Sequence, residues 1–484
     1  MPVKPIGVCL ADNAAAQPDR PAISCAGRSV TRQELDRHTN RLARAYRDLG
    51  VREGDLVAVC LPNGIEFYES CLAAWKLGAT PLPISWRMPR AELDPIIALA
   101  RPRLVVGSAV SGPACVPQGF RPGERLSDGP LEARVAPSLK AITSGGSTGT
   151  PKLIVPAQRG EFDTDRRWLG MRRDQVQLVP GPLYHNGPFA CSTNGLLAGH
   201  HLVVMERFDA EDALRLISGH RVNWVSLVPT MMLRMSRSVE AHPERYDLTS
   251  LETVWHGAAP CPEWLKEAWI DLIGPERLFE LYGGAEGQAG CHISGTDWLA
   301  HRGSVGRPAV GEIVVLDAEG GEAPRGTVGE IYMRRGEGEP PGYHYIGAEA
   351  RRRPGGWESL GDLGWMDGEG YLYLADRRTD MITSGGANVY AAEVESAILR
   401  HPLVLSCVVV GLPDRDLGQR VHAVVQPAAP LSQDRLLGFL DERLVRYKIP
   451  RSVRFVDEPL RDDAGKVRRS AIREQEAAIA PPLE

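Results

Sequence analysis

The chain has 484 residues, 43% of them hydrophobic, which supplies a large core and, by length, about three domain-sized units. The net charge of −5 and the lack of a basic stripe argue against nucleic acid as a partner; Arg351-Arg352-Arg353, the densest cationic run, reads as a solvated turn. The nine cysteines form no Cys-x-x-Cys pair, which disfavours metal and disulfide frameworks and fits a reducing cytoplasm, and neither a leader in Met1 to Asn13 nor an apolar run of ~18 residues for a transmembrane segment is present.

In chain order, residues 31–49 read as an amphipathic helix, with Leu35, Leu42 and Ala45 at helical spacing and Gly50 as its stop. Leu56 to Leu61 reads as a buried strand, punctuated by Pro62-Asn63-Gly64. A helix then runs to Leu77, and Ala79 to Ile84 is the next strand. Strand, helix, strand in this order points to parallel α/β architecture. The alternation returns with strands at Val176 to Pro180 and Leu202 to Met205, helices at Ala210 to Ser218 and Pro229 to Ser236, and β-like runs at Ile313 to Asp317 and Gly329 to Met333. A boundary falls near Asp376 to Asp380 and divides an N-terminal domain, residues 1–377, from a C-terminal one, residues 378–484. In the latter, Ala391 to Leu399 is helical, Cys407 to Gly411 and Val421 to Gln426 are strands, and Ser432 caps a helix running to Arg446.

The run Thr143-Ser144-Gly145-Gly146-Ser147-Thr148-Gly149-Thr150-Pro151-Lys152 is the most informative stretch. It offers backbone N–H groups, hydroxyls and one cation to a single anion, which is what a polyphosphate needs. Its spacing is neither the Walker pattern nor the dinucleotide Gly-x-Gly-x-x-Gly. Further segments follow. Pro182 to Phe189 presents the His185 imidazole among apolar side chains. Gly257-Ala258-Ala259-Pro260 permits close backbone approach to a flat base. Tyr282-Gly283-Gly284-Ala285-Glu286 sets an aromatic ring before a carboxylate. Asp362 suits a pair of ribose hydroxyls, and Arg377 suits ribose and phosphate. Ser384 to Tyr390 is a glycine turn, and Gly465-Lys466 closes the series.

These segments, in this order, resemble the adenylate-forming superfamily, in its branch of AMP-forming acyl- and aryl-CoA synthetases. The resemblance runs from the Leu35 helix to Arg469, and Pro182 to Phe189 is nearest to fatty-acid, bile-acid and steroid-type CoA ligases. It implies an α/β fold with a large N-terminal domain and a small mobile α+β lid. It also implies ATP, Mg²⁺, coenzyme A and a hydrophobic carboxylic acid as ligands. Thr143, Ser144, Gly145, Ser147, Thr148 and Lys152 would hold pyrophosphate, and Glu286 the metal. Tyr282 would stack on adenine beside Gly257, Ala258, Ala259 and Gly283, with Asp362 and Arg377 on the ribose. Lys466 would contact the carboxylate and α-phosphate, and His185 would gate the acyl pocket, which Phe189, Trp255 and His256 could help to shape. Gly385, Gly386 and Ala387 would enter the site for the thioester step, once the lid turns Lys466 out.

The sequence departs from that pattern at Ala285, where threonine or serine is usual, and at Leu360, Thr379 and Gln419. Losing a hydroxyl beside the α-phosphate removes a bond worth roughly 1.5–3 kcal/mol. That raises the expectation of an enzyme biased toward thioester formation from a preformed acyl-adenylate. A carrier-protein phosphopantetheine acting in trans is the other acceptor considered, and a non-catalytic nucleotide binder is the reading from a different class. The acid and the oligomeric state, a homodimer included, stay open.

Overall fold

The structure, a computed structural model, describes residues 3–143, 151–462 and 465–479. Its largest sheet has 14 strands. Side by side and parallel lie Pro21–Cys25, His201–Val204, Val176–Val179, Trp224–Leu227, Thr253–Gly257 and Leu278–Gly283. Beyond them the sheet turns antiparallel through Gly290–Ser294, Ser304–Val310, Leu372–Arg377, Trp357–Met366, Gly329–Arg334 and Glu312–Leu316. Parallel strands need crossovers, and the helices Asn186–Leu197, Ala210–His220, Pro229–Ala241 and Glu263–Ile273 supply them. Ligand sites in such sheets gather outside the carboxyl ends of the strands, where the connecting loops splay.

A second, parallel sheet of Thr80–Pro83, Leu56–Val59, Leu104–Val106 and Ala114–Val116 packs beside the first. The helix Arg32–Asp48 starts at a capping box, with Thr31 Oγ1 accepting from Glu34 N and the Glu34 carboxylate accepting from Thr31 N. Leu35, Leu42 and Ala45 are all buried, as their spacing requires. Tyr343–Ile346, Leu153–Pro156 and Ile142–Thr143 form a small antiparallel sheet in which Thr143 lies opposite Leu153. That pairing ties together the chain on both sides of the glycine-rich loop.

The small C-terminal domain has its own sheet, dominated by the long antiparallel pair Val404–Asp414 and Gly418–Pro427, and its own core of Val394, Ile398, Val409, Val425, Leu436 and Leu440. Both strands outrun their sequence expectation. The helix after Ser432 is shorter than expected. Ser432 does cap it, accepting from Arg435 N, but it spans Gln433–Asp441 and does not reach Arg446. The chain leaves the helix there, and Leu444 and Ile449 pack against the domain core. Local helix propensity yields to burial. The helix Ile6–Ala16, rich in alanine and weakly patterned, was not legible in advance.

Candidate active site

Three of the segments singled out in the sequence leave parallel strands at their carboxyl ends, and a fourth strand exit joins them. Val176–Val179 leads to His185, Trp224–Leu227 to Val228 and Thr230, Thr253–Gly257 to Ala258 and Ala259, and Leu278–Gly283 to Glu286. Gly257 sits so close to the next strand that a Cβ on it would lie 2.5 Å from Leu281 O. Ala258 follows with φ of 65°, a left-handed conformation that costs a non-glycine residue on the order of 1 kcal/mol or more. The expected turn at Pro182 to Phe189 becomes the start of the helix Asn186–Leu197, with His185 as its N-cap residue.

Three side chains meet at the sheet edge. Tyr282 Oη donates to Asp362 Oδ2 at 2.9 Å, and Arg377 Nε donates to Asp362 Oδ1 at 3.2 Å. Asp362 is not in a turn. It lies in the strand Trp357–Met366, directly opposite Arg377. Burial, with the Asp362 carboxylate next, raises the Tyr282 hydroxyl far above its usual range, so it remains a donor. Leu360 closes over Gly284, where a Cβ would lie 2.5 Å from Leu360 Cδ1 and 2.7 Å from Glu286 Oε2.

Glu286 Oε1 accepts from Tyr345 Oη at 2.7 Å, and Lys152 Nζ sits 4.1 Å above the Tyr345 ring. One tyrosine thus connects the lysine that ends the glycine-rich loop to the carboxylate after the Leu278 strand. Nothing in the sequence marked it, because an isolated Tyr in Tyr343-His344-Tyr345 carries no spacing signal.

The C-terminal domain reaches into this edge. Gly465 lies against the Trp224 strand's exit, where a Cβ would meet Thr230 Oγ1 at 2.7 Å. Lys466 N donates to Asp462 Oδ1, and Asp462 Oδ2 stands 3.6 Å from His185 Nε2. Lys466 as a residue is exposed, but desolvation of its ammonium among the neighbouring side chains lowers it below its ordinary range. Asp462 opposes the shift, Arg377 adds to it and Glu286 opposes it, which places all three within electrostatic reach of Lys466. Arg468 makes a two-pronged ion pair with Glu92 of the helix Arg90–Ala100, at 2.9 and 2.7 Å.

The structure therefore brings together Lys152, His185, Gly257, Ala258, Ala259, Tyr282, Gly283, Glu286, Asp362, Arg377 and Lys466 at one edge. Thr143 stands at the loop's near end, while Ser144, Gly145, Ser147 and Thr148 lie outside the described residues. Gly385 and Gly386 are not in the cleft. They form the exposed tip of the hairpin Ile382–Ser384 and Ala387–Val389, with φ of 59° and 81°. His256 is buried, with Glu280 and Lys266 as its charged neighbours. Sequence reading also passed over Lys140, three residues before Thr143. Lys140 is 6% exposed and donates to Asn186 Oδ1.

A two-part α/β chain, with converging polar segments at the strand carboxyl ends and a small domain closing over them, has the form of a nucleotide-site enzyme with a lid. The chain belongs to the AMP-binding enzyme family, whose model matches residues 10–344, and the model of the AMP-binding enzyme C-terminal domain matches residues 393–466. It is 32% identical to a feruloyl-CoA synthase of Amycolatopsis sp, covering 94% of this chain and 96% of that one. It is 30% identical to the long-chain-fatty-acid–CoA ligase FadD13 of Mycobacterium tuberculosis, covering 93% and 94%. A solved o-succinylbenzoate CoA synthetase of Bacillus subtilis, in complex with its acyl-adenylate intermediate OSB-AMP, superposes with a TM-score of 0.81 at 27% identity, covering 97% and 98%.

Proposed function

We propose that this chain is an AMP-forming acyl-CoA synthetase. A carboxylate oxygen attacks the α-phosphorus of ATP, the bond to pyrophosphate breaks, and the acyl-adenylate forms. The thiolate of coenzyme A then attacks the acyl carbon and AMP leaves. The observation that carries this reading is the convergence of Lys466, from the C-terminal domain, with Glu286 and the Tyr282–Asp362–Arg377 group at one sheet edge. The relatives' names, which cover whole acid–thiol ligation, favour both half-reactions over a bias toward the second.

Each side chain then has a task. Lys466 sets its ammonium against charge growing between carboxylate and α-phosphate. Asp362 accepts from the ribose hydroxyls, Arg377 bridges ribose and phosphate, and Tyr282 lies along adenine beside Gly257 to Ala259 and Gly283. Lys152 and the run from Thr143 hold the departing pyrophosphate, and His185 gates the acid. Glu286 offers a hard oxygen donor, its other side held by Tyr345, which suits Mg²⁺. When bound, Mg²⁺ neutralises phosphate charge. The lid begins after Arg377, and its rotation would exchange Lys466 for Gly385 and Gly386 during thioester formation. The nine free thiols support a cytoplasmic setting. Among the described residues, no helix is long and apolar enough to cross a membrane.

Acid-dependent ATP–pyrophosphate exchange, followed by thioester formation with coenzyme A, tests the reading. Absence of exchange across fatty, aryl and polycyclic acids would refute it. Turnover with a carrier protein but not with free coenzyme A would move the acceptor alone.

Further results are expected from the same assay. Tyr345→Phe removes the donor to the Glu286 carboxylate, a bond to a charged group worth about 1.5–3 kcal/mol. Exchange should fall roughly tenfold or more and should need more Mg²⁺ for half-saturation. An unchanged Mg²⁺ titration would remove Tyr345 from the site. The pH profile of exchange should also be informative. Because the Lys466 pKa is lowered, its useful protonated form is lost earlier as pH rises. Exchange should therefore fall on the alkaline side below the ordinary lysine range, and Lys466→Arg should move that limb upward. A limb that stays in place in the arginine variant would assign it to another group.

A further inference from the structure

Lys140 occupies a place where lysines are rarely left. Its side chain is almost wholly covered, and its ammonium has three N–H donors but only one hydrogen-bond acceptor among the described residues, Asn186 Oδ1. No carboxylate among the described residues pairs with it. Its other neighbours are the Phe189 ring, 5.9 Å from Nζ, and the Cys191 thiol. Burial lowers its pKa to about 8, so it is still largely charged at neutral pH. A buried cation without a counter-ion is costly unless something else completes it.

The surroundings show which side of the site Lys140 serves. Asn186 follows His185, the residue that faces Asp462 of the lid. Cys191 lies beside Ser226, and Ser226 lies opposite Trp255 in the sheet. Cys191 and Trp255 pack in one cluster with Leu169, Met171 and Trp224. Lys140 thus lies beside the start of the Asn186 helix, next to His185, and near Cys191 of that cluster. The Asn186 helix starts there without a side-chain cap, and its positive end adds to the field of the ammonium. Both elements are positive, and among the described residues no carboxylate pairs with Lys140.

Building on the acid-activating function proposed above, we infer that Lys140 is a specificity-determining residue of the acid pocket, and that the acid carries a second carboxylate, which seats on Lys140 while Lys466 attends the reacting one. The side chains around Cys191, Met171 and Trp255 would then line the apolar stretch between the two charged ends.

The test compares matched acids, each monocarboxylic acid against its dicarboxylic counterpart: octanoate with octanedioate, decanoate with decanedioate, benzoate with phthalate, phenylpropanoate with its ring-carboxylated analogue. ATP–pyrophosphate exchange gives kcat/KM for each with the wild-type chain, Lys140→Met and Asn186→Asp. The wild-type protein should prefer the dicarboxylic member at least tenfold in one or more pairs. Lys140→Met should lower kcat/KM for that member at least 30-fold, mainly through KM, and change its monocarboxylic partner less than threefold. Asn186→Asp, which keeps the lysine but supplies an internal counter-ion, should weaken the same member selectively; it decides the matter if the methionine variant does not fold. Preference for the monocarboxylic member in every pair, or equal losses for both members in the variants, overturns the inference and leaves acid activation standing. No exchange with any acid overturns both.

Discussion

Replacing Lys466 by alanine should abolish most acid-dependent ATP–pyrophosphate exchange and leave thioester formation from supplied acyl-AMP nearly intact. Lys466 is the cation that the C-terminal domain inserts beside Glu286 and Arg377. A donor aimed at charge that develops only in the transition state is worth roughly 10²–10³ in rate. The second half-reaction should not need it if, as proposed, the glycine hairpin at Gly385 and Gly386, exposed in this arrangement, takes its place. Single-turnover measurement of each half-reaction separates the two effects. Equal losses in both would show that Lys466 serves the fold and not the adenylation step.

The second large effect is expected at Asp362. Its carboxylate accepts from Tyr282 and Arg377, and no lid residue is needed to hold it there. AMP must be gripped in both half-reactions, so Asp362→Ala should impair both, in contrast to Lys466→Ala. Losing two hydrogen bonds from ribose to a charged acceptor, each about 1.5–3 kcal/mol, predicts a fall of roughly 10²–10⁴-fold in kcat/KM for ATP. Equilibrium binding of AMP should weaken in step. Unchanged AMP affinity would place the ribose elsewhere.

These two residues also show how the sequence could and could not be read. Lys466 and Asp362 drew attention through short local settings, Gly465-Lys466 and Gly361-Asp362, and through their order along the chain. Their convergence is a long-range fact that local spacing cannot contain. The strand that holds Asp362 opposite Arg377 is likewise set by pairing across the sheet and carries no local signal. The glycine-rich run from Thr143 was legible because its chemistry lies within one loop. Tyr345 and Lys140 were not, since each is a single residue whose meaning depends on a partner far away in the chain, Glu286 for the first and Asn186 for the second. The lid hairpin was visible as glycines, but its position outside the cleft follows from which face of the lid is turned inward.

The Arg468–Glu92 ion pair bears on that arrangement. It joins the lid to the N-terminal domain while Lys466 is in the cleft. Arg468 is 75% exposed, so water screens the pair and its contribution is small, about 0–1 kcal/mol. Its weakness suits a contact that would break in the proposed lid rotation.

Transfer of ¹⁸O from the carboxylate of the acid is the most direct measurement of what the cleft does. If the acid attacks the α-phosphorus, AMP released on thioester formation should carry one labelled oxygen per turnover, and pyrophosphate none. Label appearing in inorganic phosphate or pyrophosphate, or ADP formed in place of AMP, would contradict acyl-adenylate chemistry at this site.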